Sequence, residues 1–292
     1  MNNKIRNGFT LLELSIVILV IAGMVVAITS SKEVLKKSRL ANARSLTQQS
    51  VVNNLSDDLI AWFETSLESS FLSNEQKSDG VKITKWFDNN KNLALKKTAT
   101  SPATVANQPT YISRAFYDAI PGVRFDGASY MDFDGSKLAN SSYTIFVVEQ
   151  RRSNKNQNFF LAGSSNSTNT NLVLGYRSNS IMTQAHYGND LDIAVNNYSN
   201  SIPAIHTFLF NNFIGKKYSI SGQTNKNLSN NSSENLAPLN SYSNSRFGYY
   251  SVTNSYYIGD LAEIIIFKRS LKTEEVNAIR NYLGSKYGIP VS

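Results

Sequence analysis

The stretch GDLAEIIIFKRSLKTEEVNAIRNYLGSKYGI, residues 259–289, contains two kinds of periodicity in succession. In AEIIIF both alternating faces are apolar, which is the pattern of a central strand covered on both sides. The pattern then changes to helical spacing. Thr273 stands at an N-cap position, Glu274 and Glu275 occupy the first turn where the helix dipole favours acids, and Gly284 supplies a stop. Val276, Ile279 and Leu283 fall on one face and are expected to pack on the strand before them.

Upstream, aromatic and β-branched runs such as YTIFVVEQ (143–150) alternate with turn-rich clusters such as GSSNSTNTN (163–171) and SGQTNKNLSNNSSENLAP (221–238). That alternation marks an all-β domain, and it begins near Asn53. Before Asn53 the composition is different. Between Met24 and Asp79 there is neither glycine nor proline, and Ser30 to Asn54 is rich in residues that helices accept. Leu35, Leu40, Ala43, Leu46 and Val51 follow helical spacing loosely, so this part reads as a stem with one face on the following domain. Neither a heptad repeat nor an internal repeat is apparent.

Several segments in order resemble the concanavalin A-like, laminin G-like jelly-roll family of bacterial surface proteins. DDLIAWFE (57–64) is similar to its opening strand, GVKITKWFDNN (80–90) to its Trp-x-Asp turn, and NQPTYI (107–112) and GVRFDGASYMDF (122–133) to the next two strands. The stretch at 259–289 is similar to its last strand and terminal helix. Residues 151–250 do not align. The resemblance implies a two-sheet sandwich whose concave face or edge loops bind glycans or proteins, sometimes with calcium. Fold analogy carries limited weight for function.

Trp86 and Asp88 stand at the Trp-x-Asp positions, where a ligand role competes with a packed aromatic and a turn-making acid. Tyr249, Tyr250, Tyr256 and Tyr257 offer rings that stack on sugars or, for about half of them, pack in the core. Asp126, Asp132 and Asp134 are the candidate calcium ligands; in a strand the last two point the same way, although Asp134 with Gly135 also reads as a turn. No other cofactor is expected.

At the other end, Phe9 to Ile28 is an apolar run of about the length that spans a hydrocarbon core, interrupted by Glu13. A carboxylate kept in such a run is a functional-site hypothesis, against the alternative that it snorkels to water. The opening KIRNGFTLLELSIVILVIAG (4–23) resembles the class III leader and N-terminal helix of type IV prepilins and pseudopilins. The resemblance implies cleavage by a prepilin peptidase between Gly8 and Phe9, methylation of the Phe9 amine, and pairing of Glu13 with that amine on a neighbouring subunit. It also implies a precursor in a bacterial inner membrane with its large domain outside the cytoplasm, then a surface pilus or periplasmic pseudopilus. Lys32, Lys36, Lys37, Arg39 and Arg44 follow the run, against Lys4 and Arg6 before it, which by the positive-inside rule gives the opposite orientation. The leader resemblance is the more specific signal.

The expected fold class is mainly β with a long N-terminal α-helix: a jelly-roll β-sandwich on a pilin-type membrane-spanning helix, with a short C-terminal helix. The expected organisation is a leader over 1–8, a membrane or pilin-core helix over 9–29, a helical stem over 30–56 and the sandwich over 57–292.

The chain has no cysteine, which excludes disulfides and thiolate chemistry. His186 and His206 each stand alone, without a neighbouring carboxylate or a second histidine at ligand spacing. No E-x-D-x-E spacing places an acid and a nucleophile on one strand face, so an enzyme is not expected. The net charge of +8 falls to +6 if Lys4 and Arg6 leave, and its Lys and Arg are scattered, so nucleic acid is a weak candidate partner, through DNA uptake. Two readings stand ahead of it. One is a minor pilin-like subunit that displays a lectin-like domain for adhesion to a carbohydrate or surface protein; the other is a secretion-system pseudopilin or a structural pilin.

Overall fold

The computed structural model describes residues 11–76, 78–92, 94–195, 199–222, 230–232 and 236–291; the side chains of residues 12, 13, 23, 26–28, 30 and 230–232 lie outside that description. In chain order the main elements are α1 (Leu11–Gln48), β1 (Leu59–Glu64), β2 (Lys85–Phe87), β3 (Thr98–Thr100), β4 (Thr110–Phe116), β5 (Ile120–Asp126) and β6 (Met131–Asp134). There follow β7 (Tyr143–Arg151), β8 (Asn158–Ala162), β9 (Val173–Ser178), β10 (Ile181–Ala185), β11 (Asp190–Ala194), β12 (Ala204–Asn211) and β13 (Gly215–Ser221). The last are β14 (Asn230–Ser232), β15 (Asn244–Phe247), β16 (Tyr249–Tyr250), β17 (Ser255–Tyr256), β18 (Ile258–Phe267) and α2 (Thr273–Tyr287).

The strands form two large antiparallel sheets. The first runs β14-β13-β12-β7-β18-β5-β4, with β1 paired to the second half of β18; the second runs β11-β10-β9-β8-β15-β6-β3-β2. Side chains that alternate inward from both sheets, among them Phe63, Trp86, Phe133, Phe160, Phe208, Phe247 and Ile264, close one core between them. On the outer side of the first sheet, Trp62, Phe146, Ile265 and Phe267 meet Ala43 of α1 and Ile279, Leu283 and Tyr287 of α2 in a second core. The stretch AEIIIF therefore has work for both faces: Ile264 and Ile266 point to the sandwich interior, and Ala262, Ile265 and Phe267 to the helices.

The terminal helix differs in detail from its sequence reading. Its N-cap is Lys272, not Thr273, and the side chain of Glu275 accepts from the Lys272 backbone N–H at 2.8 Å. It runs through Gly284, which is buried against the carbonyl of Ile289, and stops at Gly288. Gly288 has φ 60°, the left-handed conformation that lets a glycine end a helix. Val276 is half-buried, while Ile279 and Leu283 are fully buried.

Helix α1 docks through its C-terminal part. The residues that lose solvent are Glu33, Lys36, Leu40 and the run from Ala43 to Thr47, in which Ala43 and Leu46 join the second core. Leu35, expected on that face, is 59% exposed. Charge adds to that packing: Lys36 pairs with Asp118 at 2.9 Å, Arg114 with Glu33 at 2.7 Å and Arg44 with Glu68 at 3.0 Å, and Arg39 donates to the Tyr117 carbonyl at 3.2 Å. These basic side chains, which sequence alone offered as an orientation signal, hold the helix to the sandwich.

Among the described residues, no helix is long and apolar enough to cross a membrane. That corrects the expected membrane-spanning helix over 9–29 and, with it, the inner-membrane localisation. The apolar run does not end as a separate segment: α1 continues from it without a break into the charged, docked half and ends at Gln48, and a 3-10 helix over Val51–Asp58 follows it. The leader, Gly8 and Phe9 lie outside the described residues; Glu13 lies in α1, its side chain outside the description.

Candidate functional site

A sandwich has two outer faces, and in this chain helices cover one of them. The other, on the second sheet, is set by a row of directly paired residues that share a side: Lys85, Thr100, Asp132, Arg246, Ala162, Val173, Ala185 and Asp190. The apolar members of this row join Phe159 and Tyr250 in a small cluster separate from the two main cores.

Three local features shape this face into a cavity. A β-bulge between Phe159 and Leu161 turns both Phe160 and Leu161 inward and leaves Phe159 outward. Opposite Phe159, Gly175 has φ 141°, and a Cβ there would lie 2.6 Å from the Phe159 Cα, so glycine is what lets β8 and β9 approach. Finally, Tyr187 and Gly188, both at positive φ, make a two-residue hairpin turn closed by His186 N–H donating to the Asn189 carbonyl at 3.1 Å.

The result is a cavity of about 380 Å³, within the roughly 300–1,000 Å³ range of small-molecule sites. Phe159, Val173 and Ala185 form its apolar floor, and Tyr250 stands edge-on to Phe159 at 5.5 Å. Tyr187, Gln157 and Thr253 carry polar atoms at its rim. On one wall Arg177 donates to Asp190 at 2.5 Å and, outside the lining, to Asp192 at 2.9 Å and Thr183 Oγ1 at 3.1 Å, so the guanidinium and the Asp190 carboxylate are held as one hydrogen-bonding surface. Burial pushes the Tyr250 hydroxyl up to about 12. Across the β16–β17 hairpin, the half-buried Tyr249 and Tyr256 rings stack at 4.3 Å, and Arg246 lies over both Tyr249 and Tyr130 at 5.4 and 5.5 Å.

The four tyrosines picked out in the sequence thus divide. Tyr250 lines the cavity and Tyr249 and Tyr256 form the platform beside it, but Tyr257 is fully buried and donates to Glu149. Trp86 and Asp88 are corrected as ligand residues. Trp86 is in the core and donates to the Glu64 carbonyl at 2.7 Å. Asp88 is buried, accepting from the N–H groups of Trp62, Asn90 and Lys97 at 2.7, 2.8 and 3.0 Å.

The calcium expectation is also corrected. Asp132 and Asp134 do share the outer face, yet Asp132 pairs with Arg246 at 2.6 Å and Asp134 with Lys97 at 2.5 Å. Burial opposes ionisation of Asp134, but Lys97 and Ser136 overcome it and hold its carboxyl at about 2. Asp126 caps its own turn, accepting from Ala128 N–H at 3.1 Å and Ser129 Oγ at 2.9 Å. Among the described residues no group of three metal-ligating side chains converges, and these three do not fit a calcium ion.

The histidines are not alone in space. His206 Nε2 lies 3.0 Å from Glu149 Oε1 and its Nδ1 lies 2.9 Å from Tyr218 Oη; Tyr176 donates to the same Glu149 oxygen at 2.6 Å. All of these groups are fully buried between the sheets, where the network satisfies a carboxylate that the core encloses. His186 sits between Tyr143 Oη and the Ala237 carbonyl, both at 3.0 Å, and burial drives its pKa down to about 3.

No protein-family model matches the chain, and no curated protein matches its sequence. Solved structures do match its fold. One is domain 4 of AbnA, a GH43 extracellular arabinanase from Geobacillus stearothermophilus, in complex with arabinotriose, with a TM-score of 0.51 and 13% identity over 76% of this chain and 97% of that one. A GH54 α-L-arabinofuranosidase matches with a TM-score of 0.55 and 10% identity over 82% of this chain and 65% of that one. The binding domain of botulinum neurotoxin DC, in complex with rat synaptotagmin II, matches with a TM-score of 0.50 and 12% identity over 80% and 53%. The fold is a β-sandwich. Likeness at such identities speaks for that architecture alone.

Proposed function

We propose that the chain is a helix-assembled, pilin-like subunit that displays a carbohydrate-recognising β-sandwich, with the outer face of the second sheet as the binding face. The observation that carries the recognition half is the cavity on that face. It combines an apolar floor that includes the Phe159 ring, polar groups held in place by their neighbours, and an adjoining tyrosine platform, a set that suits a ligand with apolar ring faces and hydroxyl edges. The solved arabinanase domain in complex with arabinotriose supports the reading by analogy of fold.

The assembly half rests on α1. Leu11, Leu14 and every residue from Ile16 to Ile21 are exposed large apolar side chains, as are Met24 and Val25, so the N-terminal half presents uncovered apolar surface. A helix of that kind requires cover, and the prepilin-like opening sequence nominates further copies of the same helix. Glu13 would then serve as the register-setting charge within the bundle.

The test of recognition is a glycan array probed with the full chain and with Ala185→Phe, which fills the cavity floor. Selective binding that the substitution removes supports the proposal. Binding that survives it moves the site elsewhere, and no binding by the unsubstituted chain ends the carbohydrate reading.

A further inference from the structure

The charged wall of the cavity on the second sheet constrains what the cavity accepts. Strand β11 alternates exposed and buried residues, so Asp190 and Asp192 share its outer side. Thr183 of β10 pairs directly with Asp192 and with Gly175 of β9, which places all three on that same side. Arg177 follows on β9, in the stretch where the register with β10 shifts. Its guanidinium extends over β10 to β11: Nε donates to Asp192 at 2.9 Å, and Nη2 donates to Asp190 at 2.5 Å and to Thr183 Oγ1 at 3.1 Å. Nη1 takes no part in these bonds.

Three observations about this wall bear on the ligand. The first is access. The Arg177 and Asp190 side chains keep 40% and 28% of their surface, so both are presented to a molecule that enters the cavity. The second is charge. Among the described residues these two are the charged members of the lining; they pair with each other, and Asp192 shares the same guanidinium from outside the lining. The third is the field within the cavity. Burial is the main push on the Tyr250 hydroxyl, but Asp190 adds to it and outweighs Arg177, which acts the other way. At that hydroxyl the pair thus acts as a net negative charge. Burial also lowers the pKa of Lys216 on β13 and Asp190 opposes this, yet the Lys216 Nζ is buried and lies outside the lining.

We infer that the cavity selects neutral sugars over acidic ones, with the Arg177–Asp190 pair as the determinant. The inference rests on the carbohydrate reading proposed above and names the class of sugar that this face takes. A guanidinium N–H beside a carboxylate oxygen offers a donor and an acceptor side by side, and a sugar hydroxyl is both, so neutral hydroxyls satisfy the pair without breaking it. A uronic or sialic acid brings a carboxylate that has to face Asp190 or displace it from Arg177. Like-charge contact of this kind is how a site rejects a ligand whose shape it would otherwise hold.

The test is a glycan array built of matched pairs, glucosides with glucuronides and galactosides with galacturonides, in which one member carries a hydroxymethyl group and the other a carboxylate. It is probed near neutral pH with the full chain and with Asp190→Asn. The neutral member of each bound pair is expected to bind at least about tenfold more tightly. Asp190→Asn leaves Arg177 with one carboxylate fewer and is expected to shrink that preference to about threefold or less. Raising the salt from about 0.05 to about 0.5 M should narrow the preference in the unsubstituted chain, because the repulsion is then screened, and this decides the matter if the variant does not fold. Equal or tighter binding of the acidic members overturns the inference and leaves carbohydrate recognition standing, as does a neutral preference that neither Asp190→Asn nor salt alters. Binding to no glycan on the array ends the carbohydrate reading and the inference with it.

Discussion

Replacing Lys286 by Met tests how the terminal helix is locked to the sandwich. The Lys286 Nζ is fully buried, 2.7 Å from Glu263 Oε2 and 3.0 Å from Glu64 Oε2, and both carboxylates are equally buried. Glu263 also accepts from Trp62 Nε1 at 2.6 Å, Tyr282 Oη at 2.7 Å and Tyr287 Oη at 2.9 Å. Glu64 accepts from Ser66 N–H at 2.8 Å, Leu67 N–H at 2.9 Å and the Ser70 hydroxyl. Met keeps most of the Lys volume but leaves two carboxylates enclosed with no cation. Breaking a buried pair in this way costs about 3–5 kcal/mol. For a domain of this size that lowers Tm by about 6–20 °C, at about 2–4 °C per kcal/mol.

The pH dependence has a definite sign. Burial opposes the charge on Lys286, but Glu263 and Glu64 outweigh it and raise its pKa; burial likewise opposes ionisation of Glu64, but Lys286, Ser66, Ser70 and the Leu67 N–H outweigh it and lower its pKa. The cluster therefore stabilises the fold above the unfolded carboxylate value, about 4.3, and below the unfolded lysine value, about 10.4. It weakens as pH falls through the folded Glu64 value or rises through the folded Lys286 value. Urea unfolding of both proteins at pH 4 and pH 7 measures this. The predicted loss is largest at pH 7 and narrows at pH 4, where a carboxylate freed of its cation takes up a proton. A loss below about 1 kcal/mol at pH 7, the value of an exposed pair, would refute the reasoning.

Other substitutions probe other parts of the account. Lys216 is buried over the Phe210 ring with no hydrogen-bond partner for its Nζ, and burial depresses its pKa to about 8. The unfolded chain holds that proton more tightly, so this group makes stability rise with pH between about 8 and 10.4. Lys216→Met should raise stability at pH 7 by up to about 3 kcal/mol, with the gain fading above pH 10.4, as read by urea titration at the two pH values. Gly175→Ala should cost about 1–3 kcal/mol and disturb the cavity, because its Cβ meets the Phe159 backbone rather than a side chain able to move. Pairing Ile18→Asp with Leu19→Asp should leave the chain sedimenting as single copies where the unsubstituted chain associates; an unsubstituted chain that is itself monomeric counts against helix-driven assembly.

The β-sandwich was legible where a strand carries its own pattern. AEIIIF announced two buried faces because the helices and the second sheet each need one, and YTIFVVEQ lies within a strand buried along its whole length. The docking face of the stem was legible in part: Leu40, Ala43, Leu46 and Val51 are buried or half-buried, and Leu35 alone of the expected residues is exposed, while Glu33, Lys36 and Thr47 join the face without an apolar pattern to announce them. The Glu149–His206 contact was hidden because 57 residues separate its partners, which only the β7–β12 pairing brings together.

The candidate site was partly visible. A run of tyrosines signalled surface or core, and the alternation of strand and hairpin decided each one, sending Tyr257 inward and Tyr250 to the cavity. Phe159, Arg177, Tyr187 and Asp190 were missed, since each joins the site through cross-strand register and not through sequence proximity. The Tyr187-Gly188 turn was the one local signal that pointed there. The aspartates misled for a related reason: same-face spacing brought Asp132 and Asp134 to one side, but a cation distant in sequence, Arg246 of β15 and Lys97 just before β3, pairs with each.

The central claim is that the outer face of the second sheet recognises carbohydrate. Binding of the full chain to a glycan array, repeated with Ala185→Phe, tests it most directly. Selective binding to a limited set of glycans, lost in the variant, is the expected result. An unsubstituted chain that binds none of them, or a variant that binds them equally well, would contradict it.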